Sequence, residues 1–449
     1  MRNRLRIEIA IRSKLAGAGG VEKSRHLLTR ARTGVSAPLR DRNSQDQKWG
    51  RHSCLPGLST HCVLWAFVLL LLSPVAAVAV IESDLPVEIF VQTPPTPVKA
   101  NGSVVLSYEL HVTNFRAMDL SLEHVLVYDV ADSVKPIARY PDDGPIAKVW
   151  HPGAPPAETE DPRIVHGGQR IVILFWLQLP QGRDVPRTLT HRLIFTIADP
   201  KGGRVARMVE GGITPVNDRD MVPYSWPIRS GQWLEANGPS VNSDHRRAMH
   251  ALDGRTFVAQ RFALDLMKVG DDGRLWHTDP SKNENWYGYG QEVLAVDDGD
   301  VVQVCDSIQE NTPLTPTRAV RMTRANICGN FVVLKLREGE FVLLGHLKPG
   351  GITVKTGQKV KKGDVLGHIG NSGNSDAPHL HIHAIAGPAP LASEGIPYVF
   401  TEFTVLSSVK PEELDGVLSS GRLPVSDGKN LEVVHKREIP SGDEVIRIP

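Results

Sequence analysis

Three histidines alternate with apolar residues in residues 377–384, whose sequence is Ala-Pro-His-Leu-His-Ile-His-Ala. Successive side chains of an extended strand point to opposite faces, so His379, His381 and His383 are expected to share one face. Neutral imidazole is the commonest protein ligand for metal ions, and it accepts and releases protons near neutral pH. The spacing therefore predicts a metal site or a proton-transfer site on one face of a strand.

Turn residues and short apolar runs surround this segment and would form the elements that position it. Residues 367–376, Gly-His-Ile-Gly-Asn-Ser-Gly-Asn-Ser-Asp, have the composition of tight turns that lead into a strand. Upstream, apolar runs such as 330–336 and 340–344 predict strands, and glycines alternate with single apolar residues between 354 and 370. This pattern predicts a compact antiparallel β-roll over residues 242–405.

A second β-rich region precedes the roll. Residues 82–216 consist of short apolar or alternating runs divided by proline, glycine and aspartate, for example 104–112 and 170–176, with no helical period. Such spacing predicts a β-sandwich of immunoglobulin-like character. Because it contains no clustered ligands or nucleophile, an inert support is favoured over a role in partner binding. The stretch 217–241, rich in proline, glycine, asparagine and aspartate, is interpreted as a linker. Residues 406–449 are interpreted as a weakly structured C-terminal tail.

The N-terminal residues differ in charge from the rest of the chain. Residues 1–61 contain 13 lysines and arginines against 4 acidic residues, which leaves 38 against 46 for the remainder. An acidic body argues against binding to nucleic acid. The basic residues 1–61 are interpreted as a disordered arm or a mis-assigned start.

An uncharged apolar segment, CVLWAFVLLLLSPVAAVAVI, occupies residues 62–81. It is long enough to span a bilayer as a membrane anchor, whereas Pro74 and the small residues at its end favour a signal peptide with a cleavage site. Both alternatives predict an exported body, in the periplasm or outside the cell. In an oxidising compartment, the two cysteines of that body, Cys305 and Cys328, are expected to form a disulfide.

An ordered set of motifs resembles the lysostaphin-type (β-lytic, LytM-like) zinc metallopeptidases. The resemblance covers roughly residues 257–385 and rests on Glu-Val-Leu-Ala-Val-Asp-Asp-Gly at 292–299, Gly-Asn-Phe-Val-Val at 329–333, Gly-His-Leu at 345–347, the valine–glycine pattern at 354–370 and Gly-Asn-Ser-Asp-Ala-Pro-His-Leu-His at 373–381. It implies a small antiparallel β-roll that hydrolyses peptide bonds of bacterial peptidoglycan.

Carried over residue by residue, the resemblance assigns a metal site and two catalytic side chains. Asp265 and His381 stand at the positions of zinc ligands, and His346 and His379 at the positions of catalytic histidines beside a metal-bound water. Zinc with one open position lowers the pKa of its water to about 7 and polarises a carbonyl, while a histidine can move the proton. The expected cofactor is therefore Zn²⁺, and the expected partners are peptidoglycan peptides.

One position departs from the family pattern, in which a histidine stands four residues before the ligand aspartate. This chain has Arg261 there, and a guanidinium offers no lone pair to a metal. A second interpretation treats Arg261 as a salt-bridge partner of Asp265 or as a clamp for a substrate carboxylate, in which case the domain would bind cell-wall peptides without cutting them.

The third protein ligand is not identified by the sequence. His383 shares a face with His381, but residues two apart on a strand lie about 6.6–6.8 Å from each other, which strains joint binding of one ion. Three further candidates, His245, His250 and His277, are each expected to be ordinary surface or structural histidines.

Two functions therefore stay open, with an exported zinc endopeptidase favoured over a metal-poor relative that binds cell-wall peptides or regulates another hydrolase. Biotinyl and lipoyl carrier domains share the valine–glycine pattern but need a lysine at a hairpin tip, which is missing here. An aromatic and amide insert after Asp265 suits the wall of a peptide groove, or equally a loop anchored by its rings. Its members are Asn283, Asn285, Trp286, Tyr287 and Tyr289.

Overall fold

The computed structural model describes residues 85–153, 161–424 and 432–449, which belong to one compact unit, Val80–Pro449. Regular structure in these residues is almost entirely β-strand, so the predicted all-β class is confirmed. The basic residues 1–61 and the apolar segment 62–81, interpreted above as a signal peptide or anchor, lie outside the described residues. In the described ranges, no helix is long and apolar enough to cross a bilayer.

The first part of the described chain is a sandwich of two antiparallel sheets that share one apolar core. Its strands are β1 (Val87–Val91), β2 (Val98–Ala100), β3 (Ser103–Asn114), β4 (Leu120–Asp129), β5 (Ala138–Tyr140), β6 (Ala147–Trp150), β7 (Ile164–Val165), β8 (Arg170–Gln178), β9 (Thr188–Ala198) and β10 (Arg204–Pro215). One sheet has the order β1-β3-β8-β6 with β2 beside β3, and the other has the order β10-β9-β4-β5 with β7 beside β4. The immunoglobulin-like character of this sandwich stays a prediction.

Strand β3 is buried on both faces. Leu106, Tyr108 and Leu110 alternate along the strand and face the core between the two sheets. On the opposite face, Glu109 and His111 are also buried, at 3% and 2% exposure. A strand face with polar side chains is normally turned to water. Its burial here means that another part of the protein packs against the sandwich.

The second part of the chain is built on one large antiparallel sheet. Its elements are β11 (Gly231–Ala236), α1 (Asp244–Arg247), β12 (His250–Leu252), β13 (Arg255–Phe257), β14 (Leu264–Lys268), a 3-10 turn at Asn283–Asn285, β15 (Glu292–Leu294), β16 (Gly299–Cys305), β17 (Asn330–Arg337), β18 (Glu340–Leu347), β19 (Lys359–Val360), β20 (Val365–His368), β21 (Leu380–Ile385), β22 (Phe400–Ser408), α2 (Leu414–Ser420), β23 (Val433–Glu438) and β24 (Glu444–Ile448). Among the described residues, the sheet order is β19-β16-β17-β18-β21-β14-β11-β24-β22-β23. The histidine-rich strand β21 thus lies in its interior.

The structure corrects the interpretations of 217–241 as a linker and of 406–449 as a tail. β11 lies between β14 and β24, and Trp233 and Leu234 of this strand are fully buried. β24 lies in turn between β11 and β22, with Ile446 also fully buried. Because both faces of these short strands are covered, their sequences lack the polar–apolar alternation that marks a half-exposed strand.

Cys305 and Cys328 are free thiols in this structure, in contrast to the expected disulfide. Cys305 ends β16, where its strand partner is Phe331 rather than Cys328. Both cysteines belong to the same apolar cluster. Burial raises the pKa of the Cys328 thiol to about 12, so it packs there as a small neutral group.

Candidate metal centre

Strand register brings the four predicted site residues to one place. The pairing of β14 with β21 sets Asp265 opposite His381, and the pairing of β18 with β21 sets Gly345 on the other side of His381. His346 follows Gly345 directly, and His379 stands one residue before β21. The central position of β21 therefore collects side chains that come from segments more than eighty residues apart.

Asp265 lies at the centre of this cluster. Its Oδ1 is 2.9 Å from His381 Nδ1 and 3.4 Å from His379 Nε2. Its Oδ2 is 3.3 Å from Nε2 of a further histidine, His245. Ligand atoms of His245, Asp265 and His381 all lie within 4.8 Å of one another. The expectation that His245 is an ordinary surface or structural histidine was therefore wrong.

A hydrogen-bond network around Asn237 orients His245. His245 Nδ1 donates to the carbonyl oxygen of Asn237 at 3.0 Å, so the lone pair of the neutral ring lies on Nε2, the atom nearest Asp265. The same carbonyl accepts a hydrogen bond from Ser243 Oγ at 2.9 Å, and the N–H of Asn237 donates to Asp443 Oδ1 at 2.7 Å. A second contact that fixes the tautomer of a histidine is typical of metal ligands.

The sequence offered no local signal for choosing His245. None of His245, His250 and His277 stands in a motif of metal-ligand spacing. In the structure, His250 belongs to the β12–β13 hairpin, and the exposed His277 bonds the Asn285 carbonyl at 2.8 Å. The one usable hint was the missing ligand at position 261, which implied that some other histidine must reach Asp265.

Arg261 turns away from Asp265. Residues 258–263 form a turn between β13 and β14, and there the Arg261 side chain is only 3% exposed. Its guanidinium lies 2.8 Å from Glu109 Oε2 of the sandwich and 2.9 Å from Glu394 Oε2. Pairing with Asp265 and clamping of a substrate carboxylate were both wrong expectations, because the guanidinium is buried against these two other carboxylates.

The two candidate catalytic histidines lie beside the ligand cluster. His346 Nδ1 donates to the Ser372 carbonyl at 2.8 Å, and His379 Nδ1 donates to the Ala377 carbonyl at 2.8 Å. Each neutral ring therefore keeps its lone pair on Nε2. The centre of the His346 ring is 4.9 Å from that of His379 and 5.5 Å from that of His381. Two proton acceptors thus flank one carboxylate and its imidazole neighbours.

A left-handed backbone and a close glycine contact position His346. The φ angle of His346 is 61°, which is uncommon for a bulky residue, and such strain, on the order of 1–3 kcal/mol, concentrates at functional sites. Gly329, with φ of 64°, lies so close to Ser372 that a Cβ atom would overlap the Ser372 carbonyl. The glycine therefore lets the Ser372 carbonyl reach the His346 ring.

Burial and charge set the ionisation of the cluster. Burial alone would raise the pKa of Asp265, but the neighbouring His245 and His379 rings hold that pKa well below its usual range. Burial lowers the pKa of His346 and of His381. For His245 and His379 burial acts in the same downward direction, but the Asp265 carboxylate outweighs it and raises their pKa. The result is an ionised carboxylate enclosed by imidazoles.

This donor set fits zinc. Zinc prefers imidazole nitrogen and carboxylate oxygen at about 2.0–2.2 Å, in a tetrahedron whose donors lie roughly 3.4 Å apart, and catalytic sites keep one position open. Asp265 Oδ1 lies 2.9 Å from His381 Nδ1, and Asp265 Oδ2 lies 3.3 Å from His245 Nε2. His381 Nε2 lies 2.8 Å from His383 Nδ1, so with its hydrogen on Nε2 the His381 ring offers Nδ1 to a metal. Three protein ligands are therefore available, one fewer than the four positions of tetrahedral zinc.

The aromatic insert is anchored in the fold. Trp286 is 3% exposed, and its Nε1 donates to the Pro280 carbonyl at 2.9 Å. Tyr289 Oη donates to Glu310 at 2.8 Å, and the Lys348 ammonium lies 5.0 Å from the centre of the Tyr289 ring. For Trp286 the structure supports the anchored-loop interpretation over the groove-wall one.

Comparison with known proteins places part of this cluster in a family. Residues 286–391, which include His346, His379 and His381, match the model of peptidase family M23. This part of the chain is a peptidase family M23 domain. Asp265 and His245 precede the matched residues, so the family match does not cover the complete donor set of the M23 domain.

Solved structures similar to the chain include three peptidases. They are the catalytic domain of lysostaphin from Staphylococcus simulans (20% identity, 32% of this chain and 80% of that chain, TM-score 0.20), a putative peptidase M23 from Pseudomonas aeruginosa (16%, 58% and 86%, 0.21) and a zinc-containing peptidase from Vibrio cholerae (14%, 66% and 81%, 0.21). Among curated proteins, none matches the chain. The membership of the M23 domain accordingly rests on the family model.

Proposed function

We propose that this chain is an exported zinc endopeptidase that hydrolyses peptide bonds of peptidoglycan. One observation carries the proposal: His245, Asp265 and His381 form a three-ligand donor set next to two histidines whose Nδ1 atoms are held by backbone carbonyls. The M23 domain supports a peptidase. Peptidoglycan as the substrate is inferred from the lysostaphin-type motifs, and export is inferred from the apolar segment 62–81.

The residues of the site have separable roles in this proposal. His245 Nε2, an Asp265 oxygen and His381 Nδ1 would hold the ion. When bound, zinc would polarise the scissile carbonyl and acidify a water. His379, with its Nδ1 hydrogen on the Ala377 carbonyl, can accept a proton at Nε2 and release it to the leaving amine. His346, kept neutral by burial, can orient the same water through its own Nε2.

Metal analysis and a cleavage assay on the purified full chain test the proposal. We expect one equivalent of zinc and the release of new amino termini from purified peptidoglycan, detected by mass spectrometry of the soluble fragments. A chelator should abolish cleavage, and added zinc should restore it. Zinc-loaded protein that sediments with peptidoglycan but releases no fragments would support the alternative of a non-catalytic cell-wall binder.

His383 provides a test of ligand orientation. With zinc on His381 Nδ1, the Nε2 hydrogen of that ring would donate to His383 Nδ1, 2.8 Å away. His383→Ala removes this acceptor and is expected to lower zinc affinity about 10–100-fold, as for other outer partners of ligand histidines. His383→Asn, whose side-chain oxygen can accept the same hydrogen bond, should recover much of the loss. Competition titration against a chelator measures both, with His368→Ala as the control, because His368 bonds the Gly351 carbonyl instead. Equal affinities for His383→Ala and wild type would contradict the role.

A further inference from the structure

We propose that Glu109 of the sandwich is a positioning residue for the metal centre, which it reaches through Arg246, the residue after His245. The inference rests on the proposed function, because it takes His245 to be a metal ligand. It gives the sandwich a part in building the site, whereas the sequence predicted an inert support.

Glu109 is the acceptor that holds Arg246. Arg246 is completely buried, and its Nη2 donates to Glu109 Oε1 at 2.9 Å. The same guanidinium donates to the carbonyl oxygens of Phe175 at 2.9 Å and Tyr108 at 3.1 Å. All three acceptors belong to the central strands β3 and β8 of the sandwich. The helix that carries His245 is therefore pinned to the sandwich by its neighbouring side chain.

Glu109 also holds the other segment that leads into the site. Its Oε2 accepts a hydrogen bond from Arg261 Nε at 2.9 Å, and Arg261 Nη1 donates to the Gly395 carbonyl at 2.7 Å. Arg261 stands in the turn directly before β14, the strand of Asp265. One sandwich carboxylate thus contacts both the helix of His245 and the turn before β14, whereas Asp265 itself is held by the pairing of β14 with β21.

The charges of Glu109, Arg246 and Arg261 make their contact sensitive to the loss of any one of them. Burial alone would raise the pKa of Glu109, but Arg261 and Arg246 lower it to about 2, so the carboxylate is ionised between two guanidinium groups. A buried ion pair is disrupted strongly when one partner is removed, because the remaining charge is left without compensation. In Glu109→Gln, an amide NH₂ would face one of the two arginines, and the position of Arg246 would no longer be maintained.

Glu109 is expected to act on His245 alone among the ligands. Asp265 and His381 are held by strand pairing within the large sheet, which does not involve Glu109. His245 has no such support, because α1 is a single turn. Its position depends on the Asn237 carbonyl on one side and on the anchoring of Arg246 on the other.

Zinc affinity of the full chain, measured by competition with a chelator, tests the inference. Glu109→Gln is expected to weaken zinc binding about 10–100-fold, the usual effect of an outer contact on a metal ligand. Glu88→Gln is the matched control, since Glu88 is a sandwich carboxylate that pairs with Arg170 at the surface, and its affinity should equal that of wild type. If Glu109→Gln does not fold, Glu109→Asp, which keeps the charge but shortens the side chain, should show a smaller weakening.

A double-mutant cycle separates positioning from general loosening. In a His245→Ala background, measured with a weaker chelator, Glu109→Gln should cause no further loss of affinity, because the residue through which it acts is gone. An equal loss in both backgrounds would overturn the inference. Wild-type zinc affinity in Glu109→Gln, or in Glu109→Asp if only that variant folds, would also overturn it and leave the proposed function intact. A wild-type protein that binds no zinc would overturn both.

Discussion

Replacing His245 by alanine is expected to lower zinc affinity by on the order of a thousandfold or more, which corresponds to roughly 4 kcal/mol. The variant keeps Asp265 and His381, so the site falls from three protein ligands to two. Outer partners of ligand histidines already contribute about 10–100-fold, and removal of a ligand should exceed that. Competition titration and zinc analysis of the purified variant provide the measurement, and peptide hydrolysis should disappear with the metal.

The structure supplies a matched control for this experiment. His277 was an equal candidate by sequence, yet it is exposed and bonds the carbonyl of Asn285. His277→Ala should therefore retain zinc and activity. The assignment of His245 fails if its alanine variant, folded by circular dichroism, keeps the zinc affinity of wild type.

Replacing His379 by alanine is expected to reduce turnover about 10²–10⁴-fold while zinc stays bound. His379 Nε2 lies 3.4 Å from Asp265 Oδ1, next to the ligand set, and its Nδ1 hydrogen is committed to the Ala377 carbonyl. Under the proposed function His379 takes the proton of the attacking water, so its removal should slow the chemical step without removing a ligand. Stopped-time cleavage assays at saturating zinc give the turnover of wild type and variant.

The zinc content of the same His379→Ala preparation distinguishes the two possible roles of this ring. Zinc retained within a few-fold of wild type, together with slow turnover, identifies a proton-transfer group. Loss of zinc would mean that His379 is itself a ligand, and unchanged turnover would remove it from the catalytic set. His346→Ala should behave like His379→Ala, because His346 lies beside the same cluster with its own Nδ1 held by Ser372.

Arg261 leaves the proposed zinc site one ligand short of the family pattern, and under the proposed function His245 supplies it. At the position where the family pattern has a ligand histidine, this chain has a guanidinium that binds Glu109 and Glu394. The turn before β14 thus contributes to the contact with the sandwich, and the third candidate ligand, His245, comes from the segment that follows β11. Arg246 and Arg261 both pair with Glu109. The arginine at the family's ligand position and the arginine next to His245 therefore contact the same sandwich carboxylate.

Local patterns in the sequence predicted the roll, and the resemblance to a known family predicted four site residues. Alternation of His379, His381 and His383 with apolar residues reflects the two-residue period of a strand. The glycine-rich turn before them and the Gly-His-Leu around His346 are short motifs that can be identified without knowledge of the rest of the chain. Asp265 was found by its place in a strand of the same family pattern. In the structure these residues lie together, because β14 and β18 both pair with β21.

Tertiary structure decided the place of β11 and β24 and the choice of His245, because these features depend on contacts between distant segments. β11 and β24 have no alternating pattern, since both of their faces are covered by other elements, and their place inside the large sheet emerges only when the sheet forms. His245 belongs to no motif in the sequence, and it becomes a candidate ligand only when Asn237 and Arg246 bring it to Asp265. The residue types and their spacing along one strand therefore determined the kind of chemistry, whereas the folded chain determined which third side chain completes the donor set.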